Sequence, residues 1–193
     1  RSDTEITDEV LYGYYLSKSN VNHPGKNEII ENLECDSQKV INEIILKPKK
    51  KVNFHKLMTH FLIDIDLEFL NKVTNVLFIR DPKEIIHSYH KVIPYPTIDD
   101  IGVKKQFELF NFLNDRGKKA IILDSKDLLT DTEKTLNILC KKINIPFDKK
   151  MLKWKQGTKK DDGIWAKYWY QSVHQSSCFK KYKEQEIVLD SVN

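Results

Sequence analysis

Short apolar runs alternate with amphipathic stretches along this chain of 193 residues. The clearest run, Asn75–Arg80, is continuous and apolar, which is typical of a strand buried on both faces of a parallel sheet. Shorter runs at Glu5–Thr7, Val52–Lys56 and Ala120–Asp124 predict further strands. Because helical patterns stand between these runs, the sequence predicts one α/β domain with a mainly parallel sheet and helices on both faces.

The helices between the strands are predicted from amphipathic spacing and from residues that favour helix ends. Asp81, Pro82 and Glu84 fit the cap, the first position and the third position of a helix that follows Asn75–Arg80 directly, so Glu84 completes a capping box. We predict the other helices around Tyr12, after Asp36, across Ile65–Leu70, from Ile98 to Arg116 and from Thr132 to Ile143, with a largely helical C-terminal part.

The amino-acid composition excludes several classes of protein. The chain is 40% hydrophobic and 31% charged, with few Gly and Pro, which excludes disordered and collagen-like proteins. No apolar run approaches the roughly 20 residues of a membrane span, so we expect a soluble, cytoplasmic protein. The three cysteines are widely spaced, so we expect free thiols. The net charge is +4, and we interpret the lysine clusters, including those at residues 159–160 and 180–183, as solvated loops and tail.

The segment from Arg80 to Ser88 carries the clearest functional signal. Arg80 follows a buried parallel strand, and open α/β sheets bind ligands at the carboxyl edge of such strands. The next helix begins within two residues, so its N–H groups and dipole face the same edge. Ser88 lies two helical turns beyond Asp81, so a phosphate between Arg80 and Ser88 is geometrically reasonable. The alternative is an Arg80 that pairs with a neighbouring acid and a Ser88 that is simply exposed.

The strand followed by Arg-Asp-Pro-x-x-x-x-x-Ser-Tyr resembles the 3′-phosphate motif of sulfotransferases that use 3′-phosphoadenosine 5′-phosphosulfate. A second segment, with Leu139-Cys140 followed by Ile145-Pro146-Phe147, is similar to the same family, and the tail Asp162–Tyr170 resembles one of its subgroups. This resemblance implies a three-layer fold like that of P-loop nucleoside triphosphate hydrolases. It also implies that Arg80 and Ser88 hold the donor's 3′-phosphate, that the acceptor is a small molecule with a hydroxyl or amine, and that no metal or nucleic acid takes part.

Family enzymes often carry a lysine and a histidine near the end of the preceding strand, where this chain has His55, Lys56 and His60. By resemblance, Lys56 would neutralise charge on the transferred sulfuryl group, and His60 or His55 would act as the base. Histidine suits that role because its pKa lies near neutrality. The alternative is that each histidine is structural. His87 and His90 lie three apart on one helix, but no third metal ligand accompanies them, so we expect no metal site.

The sequence also departs from the family pattern. No strand with a Gly- or Ser-rich donor loop precedes Asp8, so we expect an N-terminally incomplete domain with an exposed apolar gap beside its central strands. The C-terminal Arg-Lys-Gly contact is absent, and Lys159, Lys160 or Lys167 are its possible substitutes. Sulfuryl transfer is the leading hypothesis, and a non-catalytic nucleotide-binding or interaction domain is the alternative. A P-loop kinase is disfavoured because the chain has no GK[ST] motif. The oligomeric state stays open.

Overall fold

The computed structural model describes residues 3–93 and 95–184, and their strands form two parallel pairs. In the first pair, β1 (Thr4–Asp8) lies beside β2 (Val52–Lys56), with Thr7 opposite His55 and Asp8 opposite Lys56. In the second pair, β3 (Val76–Ile79) lies beside β4 (Ile121–Asp124). The parallel pairing is confirmed. The strands form two two-stranded sheets rather than the one shared sheet expected, and the three-layer arrangement stays a prediction.

Helices follow the strands in the predicted alternation, except between β2 and β3, where the chain forms only 3₁₀ turns. In chain order they are α1 (Tyr12–Lys18), α2 (Lys26–Asn32), α3 (Ser37–Val40), α4 (Pro82–Tyr89), α5 (Val103–Asp115), α6 (Ser125–Thr130), α7 (Thr132–Lys142), α8 (Ala166–Trp169) and α9 (Gln171–His174). A π-helical turn, Ile41–Ile45, continues α3, and 3₁₀ turns cover Thr59–Phe61, Leu67–Lys72 and Lys149–Met151.

The described residues divide into two compact units. The first unit contains those of Arg1–Val73 and Trp154–Ser177, and the second contains those of Thr74–Lys153 and Cys178–Asn193. The first unit buries an aromatic core, in which the Tyr12 ring stacks on Phe61 with centroids 4.9 Å apart and meets Trp165 edge-on at 5.8 Å. The Tyr12 hydroxyl bonds to Nδ1 of the buried His23 at 2.9 Å, so the polar end of this core tyrosine is satisfied.

The second unit has a smaller, aliphatic core. Its buried apolar side chains come from β3, α5, α6 and α7, namely Leu77, Leu109, Leu113, Leu128 and Cys140. Leu77 is buried but Phe78 is half exposed, so the expectation that β3 is buried on both faces is wrong for this strand. Exposed apolar side chains also stand on the other strands, at Ile6, Phe54 and Ile122, while the expected gap beside the strands stays a prediction.

Three helix predictions were wrong in extent. The C-terminal part, which was expected to be largely helical, contains only the 3₁₀ turn Lys149–Met151 and the four-residue helices α8 and α9 within the described residues 148–184. The helix expected from Ile98 begins only at Val103, because Gly102 adopts a left-handed backbone with φ 69° that interrupts a right-handed helix. The stretch expected to be a helix across Ile65–Leu70 forms only a 3₁₀ turn, Leu67–Lys72, which begins at the capping side chain of Asp66. The cysteines are free thiols as predicted, and Cys178 is exposed.

Candidate functional site

Arg80 lies at the carboxyl end of β3, immediately before α4. The Asp81 carboxylate accepts a hydrogen bond from the backbone N–H of Lys83 at 2.8 Å, and Pro82 occupies the first helical position. This is the cap that the sequence predicted. The N-terminal end of α4, with the positive end of its helix dipole, therefore lies directly after Arg80, at the strand edge where an anion is favoured.

The Arg80 side chain is ion-paired with Glu84, as the alternative interpretation of the sequence expected. Its Nε donates to Oε2 of Glu84 at 2.8 Å, and the hydroxyl of Tyr182 donates to the other oxygen, Oε1, at 3.0 Å. The Glu84 carboxylate therefore accepts hydrogen bonds from the side chains of Arg80 and Tyr182. The predicted capping box had it accept one from the backbone N–H of Asp81 instead. The bond from Arg80 to Glu84 uses Nε, which leaves the two terminal nitrogens of the guanidinium as an edge that can hold a phosphate in a bidentate manner.

A cavity of about 530 Å³ opens beside Arg80 in the second unit. Its lining residues are Arg80, Glu84, Leu129, Lys180, Lys181, Tyr182 and Lys183. Four of these seven side chains are cationic and one is acidic, so the cavity attracts anions. The lysines at 180–183, which the sequence analysis assigned to a solvated tail, line this cavity. The sequence alone showed only a charge cluster more than 90 residues away from Arg80.

Ser88 is exposed on the last turn of α4 and is not among the seven residues that line the cavity. A rise of 1.5 Å per residue puts it about 10 Å along the helix axis from Asp81. An anion that contacts both Arg80 and Ser88 would therefore lie alongside α4 rather than at its N-terminus alone. The shared role of the two residues stays a prediction.

A second polar cluster lies in the first unit, at the carboxyl ends of β1 and β2. Lys56 Nζ donates to Asp8 Oδ1 at 3.1 Å, to the carboxylate of Glu9, and to the hydroxyl of Tyr170 at 2.8 Å. The Tyr170 hydroxyl in turn donates to Asp8 Oδ2 at 2.6 Å. We call these four residues the Lys56 cluster. The sequence analysis found Lys56 but missed its three partners.

Burial and charge shift the pKa values within the Lys56 cluster. Burial raises the pKa of Glu9, and the Lys56 cation lowers it only in part. Burial also opposes the charged form of Lys56, but the carboxylates of Glu9 and Asp8 outweigh that effect, so the pKa of Lys56 is raised. The pKa of Tyr170 is raised by burial and by the Glu9 carboxylate. Lys56 is therefore a cation and Tyr170 a neutral phenol at neutral pH.

Glu9 has an unusual backbone as well as a buried carboxylate. Its φ is +47°, a left-handed conformation that is uncommon for residues other than glycine. Two backbone hydrogen bonds of 2.8 Å hold it there, one from Glu9 N to Lys56 O and one from Tyr12 N to Glu9 O. Strained backbone next to a charged group is a recognised feature of functional sites. In the sequence, the signal that could have pointed to Glu9 is an acidic residue at the end of a strand, followed by a turn.

The structure does not bring His55 into the Lys56 cluster. Successive strand residues face opposite sides, so His55 and Lys56 of β2 lie on different faces of the sheet. His55 Nδ1 lies 2.6 Å from Thr7 Oγ1 on the neighbouring strand. Burial lowers the pKa of His55, offset in part by a hydrogen bond with the backbone of Ile45, so the ring is neutral at neutral pH. That protonation state suits a base.

His60 lies in the aromatic core of the first unit. Its ring meets Tyr15 edge-on at 5.2 Å and Phe61 at 4.8 Å. These contacts fix its orientation, and they agree with the structural alternative for this residue. In the part of the chain that the structure describes, no three His, Cys, Asp or Glu side chains group as a metal site would require.

Two of the three lysines suggested as substitutes for the missing C-terminal contact have local partners. Lys167 Nζ donates to Glu28 Oε1 at 2.6 Å, and Lys159 Nζ donates to the backbone carbonyls of Lys155 and of Gly157. Lys160 is exposed. The lysines that share a cavity with Arg80 are instead those at 180, 181 and 183.

Parallel strands that end in charged residues, with a helix N-terminus beside a basic cavity, define an α/β domain suited to an anionic ligand. A family model described as a sulfotransferase domain matches residues 1–188. The chain belongs to the sulfotransferase family.

Two relatives from Arabidopsis thaliana are similar over nearly the whole chain. The proteins named branched-chain-amino-acid aminotransferase-like protein 2 and protein 1 are 35% and 33% identical, over 93% and 95% of this chain. The alignments cover 32% and 33% of those proteins, so the chain spans about a third of the length of these relatives. No solved structure matches the chain. Within the described residues, no helix combines the length and apolar character that a membrane crossing requires.

Proposed function

We propose that this chain binds the adenosine 3′,5′-bisphosphate part of 3′-phosphoadenosine 5′-phosphosulfate and supports transfer of its sulfuryl group to a hydroxyl or amine of a small molecule. The observation that carries the proposal is Arg80, at the carboxyl end of β3, in a cavity whose other cations are three lysines. Arg80 would hold the 3′-phosphate with its terminal nitrogens, and Ser88 would donate a further hydrogen bond. The proposal assigns no residue to the 5′-phosphosulfate.

The proposed reaction is an in-line displacement at sulfur. The acceptor oxygen or nitrogen forms a bond to sulfur, and the bond between sulfur and the donor's phosphate oxygen breaks. Adenosine 3′,5′-bisphosphate leaves with the electron pair of that bond, and the acceptor's proton passes to a base. Such transfers depend mainly on positioning and charge neutralisation, which residues of the protein supply.

The first unit offers three candidates for the base. His55 is neutral and His60 is held in the aromatic core, as described above. Glu9 combines a buried carboxylate, a raised pKa and a strained backbone beside the Lys56 cation, so we favour Glu9 over the histidines that the sequence suggested. In this assignment Lys56 neutralises negative charge that develops during the transfer.

One observation favours the alternative, a non-catalytic nucleotide-binding domain. The three N–H donors of Lys56 meet three acceptors in the cluster, the carboxylates of Asp8 and Glu9 and the hydroxyl of Tyr170. Lys56 would have to exchange one of these partners to contact a sulfuryl group. Binding of the bisphosphate without transfer of labelled sulfate to any of a panel of hydroxyl and amine acceptors would support this alternative.

The proposal is tested by calorimetric titration of the purified full-length protein with adenosine 3′,5′-bisphosphate. Hydrogen bonds to a charged group contribute about 1.5–3 kcal/mol, so Arg80→Ala should weaken binding at least about tenfold. Ser88→Ala should cost less, because it removes a neutral donor. Adenosine 5′-monophosphate, which lacks the 3′-phosphate, is the control ligand and should be nearly unaffected. Equal losses for both ligands would show that Arg80 has a structural role.

A further inference from the structure

A hydrogen-bonded chain links the C-terminal segment to Arg80 in the second unit. The Tyr182 hydroxyl donates to Oε1 of Glu84, and Oε2 of the same carboxylate accepts from Arg80 Nε. Tyr182 lies 98 residues after Glu84 along the chain, and Arg80 lies four residues before it. Tyr182 and Glu84 also line the cavity that contains Arg80.

Tyr182 is itself held in place by two contacts with α6. Its backbone N–H donates to the carbonyl of Leu129 at 3.1 Å, and Lys126 Nζ lies 5.2 Å from the centre of its ring. The Lys126 contact is of the cation–π type, which does not depend on the hydroxyl. The segment that carries Tyr182 begins after an antiparallel bridge between Lys153 and Cys178. The phenol oxygen is therefore presented to Glu84 from an anchored segment.

The bond from Tyr182 engages the Glu84 oxygen that does not bond to Arg80. A carboxylate and a guanidinium favour a bidentate pair in which both carboxylate oxygens bond to one edge of the fork. Here Tyr182 donates to Oε1, and Glu84 instead bonds to Arg80 through Oε2 on Nε. A tyrosine phenol is protonated at neutral pH, and the hydrogen bond to the Glu84 carboxylate raises the pKa of Tyr182 further, so its hydroxyl acts as a donor.

We propose that Tyr182 and Glu84 are positioning residues for the anion site of Arg80. Tyr182 restrains Glu84, and Glu84 fixes Nε so that the terminal nitrogens of Arg80 face the ligand. Without the Tyr182 hydroxyl, Glu84 is released to pair with those nitrogens and to compete with the ligand. This inference rests on the proposed function, because it takes the ligand of Arg80 to be the 3′-phosphate of the donor or its product.

The test is Tyr182→Phe, which keeps the ring over Lys126 and removes only the hydroxyl. In the purified full-length protein we expect affinity for adenosine 3′,5′-bisphosphate to fall about three- to tenfold, the range of one hydrogen bond, with affinity for adenosine 5′-monophosphate unchanged. The matched control is Tyr168→Phe, which removes a 2.8 Å phenol bond to the carboxylate of Glu28 in the first unit. This control should leave both affinities unchanged, and circular dichroism checks that each variant is folded.

A double-mutant cycle separates positioning from a merely structural role. Arg80→Lys keeps a charge but lacks Nε and the fork, so Tyr182→Phe should cause no further loss of bisphosphate affinity in that background. The positioning role is overturned if Tyr182→Phe has no effect while Arg80→Lys weakens binding, a result that leaves the proposed function intact. It is also overturned if Tyr182→Phe lowers affinity equally in both backgrounds or for both ligands. No loss in Arg80→Lys or Arg80→Ala would instead contradict the proposed function itself.

Discussion

Replacing Lys56 by methionine removes the cation from the Lys56 cluster while keeping most of the side chain's volume. The change leaves the carboxylates of Asp8 and Glu9 next to each other, with side chains only 9% and 10% exposed. Breaking a fully buried ion pair costs about 3–5 kcal/mol. The Lys56 side chain is 43% exposed, so solvent screens part of the interaction and we expect a loss of roughly 1–3 kcal/mol in the free energy of unfolding.

The loss should depend on pH in a direction fixed by Glu9. Lys56 lowers the pKa of Glu9 by its charge and its hydrogen bond, so the pKa rises further in the variant. A carboxyl whose folded pKa lies above its unfolded value of 4.5 stabilises the fold below that value, and this stabilisation disappears as pH rises through the folded pKa. Lys56→Met should therefore lose more stability at pH 8 than at pH 5.

Urea unfolding at the two pH values measures both effects, and Lys50→Met is the matched control. Lys50 is also 43% exposed and lies 3.8 Å from Glu5, whose side chain is 31% exposed and therefore more solvated than Asp8 or Glu9. An exposed pair of this kind contributes about 0–1 kcal/mol, with little dependence on pH over this range. If Lys56→Met lost no more stability than Lys50→Met, or lost more at pH 5 than at pH 8, the account of the cluster would be wrong.

Two further predictions concern the first unit. Gly25→Ala should destabilise the fold by more than the roughly 1–2 kcal/mol of a left-handed backbone, because φ is +73° and a Cβ would lie 2.2 Å from the ring of Tyr168. Gly157→Ala, at φ +96° with nothing within 4 Å, incurs only the backbone strain, and thermal unfolding compares the two. If Glu9 is the base, Glu9→Gln should lower kcat about 10²–10⁴-fold in a sulfate-transfer assay. A larger loss in His55→Asn would return the base assignment to the histidine.

Local sequence signals located much of the candidate site. The strand pattern of Asn75–Arg80, followed by the capping residue Asp81 and by Pro82, correctly placed Arg80 between β3 and α4. These signals come from residues that are close together along the chain. Each residue type favours a strand or a helix start through its own backbone preferences. The role given to Glu84 failed for the same reason, because a capping box considers only the local backbone and Glu84 is instead engaged by Arg80 and Tyr182.

The Lys56 cluster shows what local signals do not contain. Its four residues come from β1, from the turn after it, from β2 and from the segment between α8 and α9, so Asp8 and Tyr170 are 162 residues apart. The sequence offered His55 and His60 as companions for Lys56 because they are close along the chain. Strand alternation directs His55 to the other face, and aromatic packing holds His60 in the core.

The sequence by itself determined the alternation of strands and helices, the capped start of α4 and the position of Arg80 at the end of a parallel strand. Hydrophobic period and capping chemistry are properties of a few adjacent residues, so they do not depend on which distant segments come into contact. Only the tertiary structure decided that Glu9 is a strained, buried acid beside Lys56 and that lysines near the C-terminus line the cavity of Arg80. These contacts depend on which strands pair and on where a distant segment of the chain packs. Neither can be predicted from the spacing of neighbouring residues.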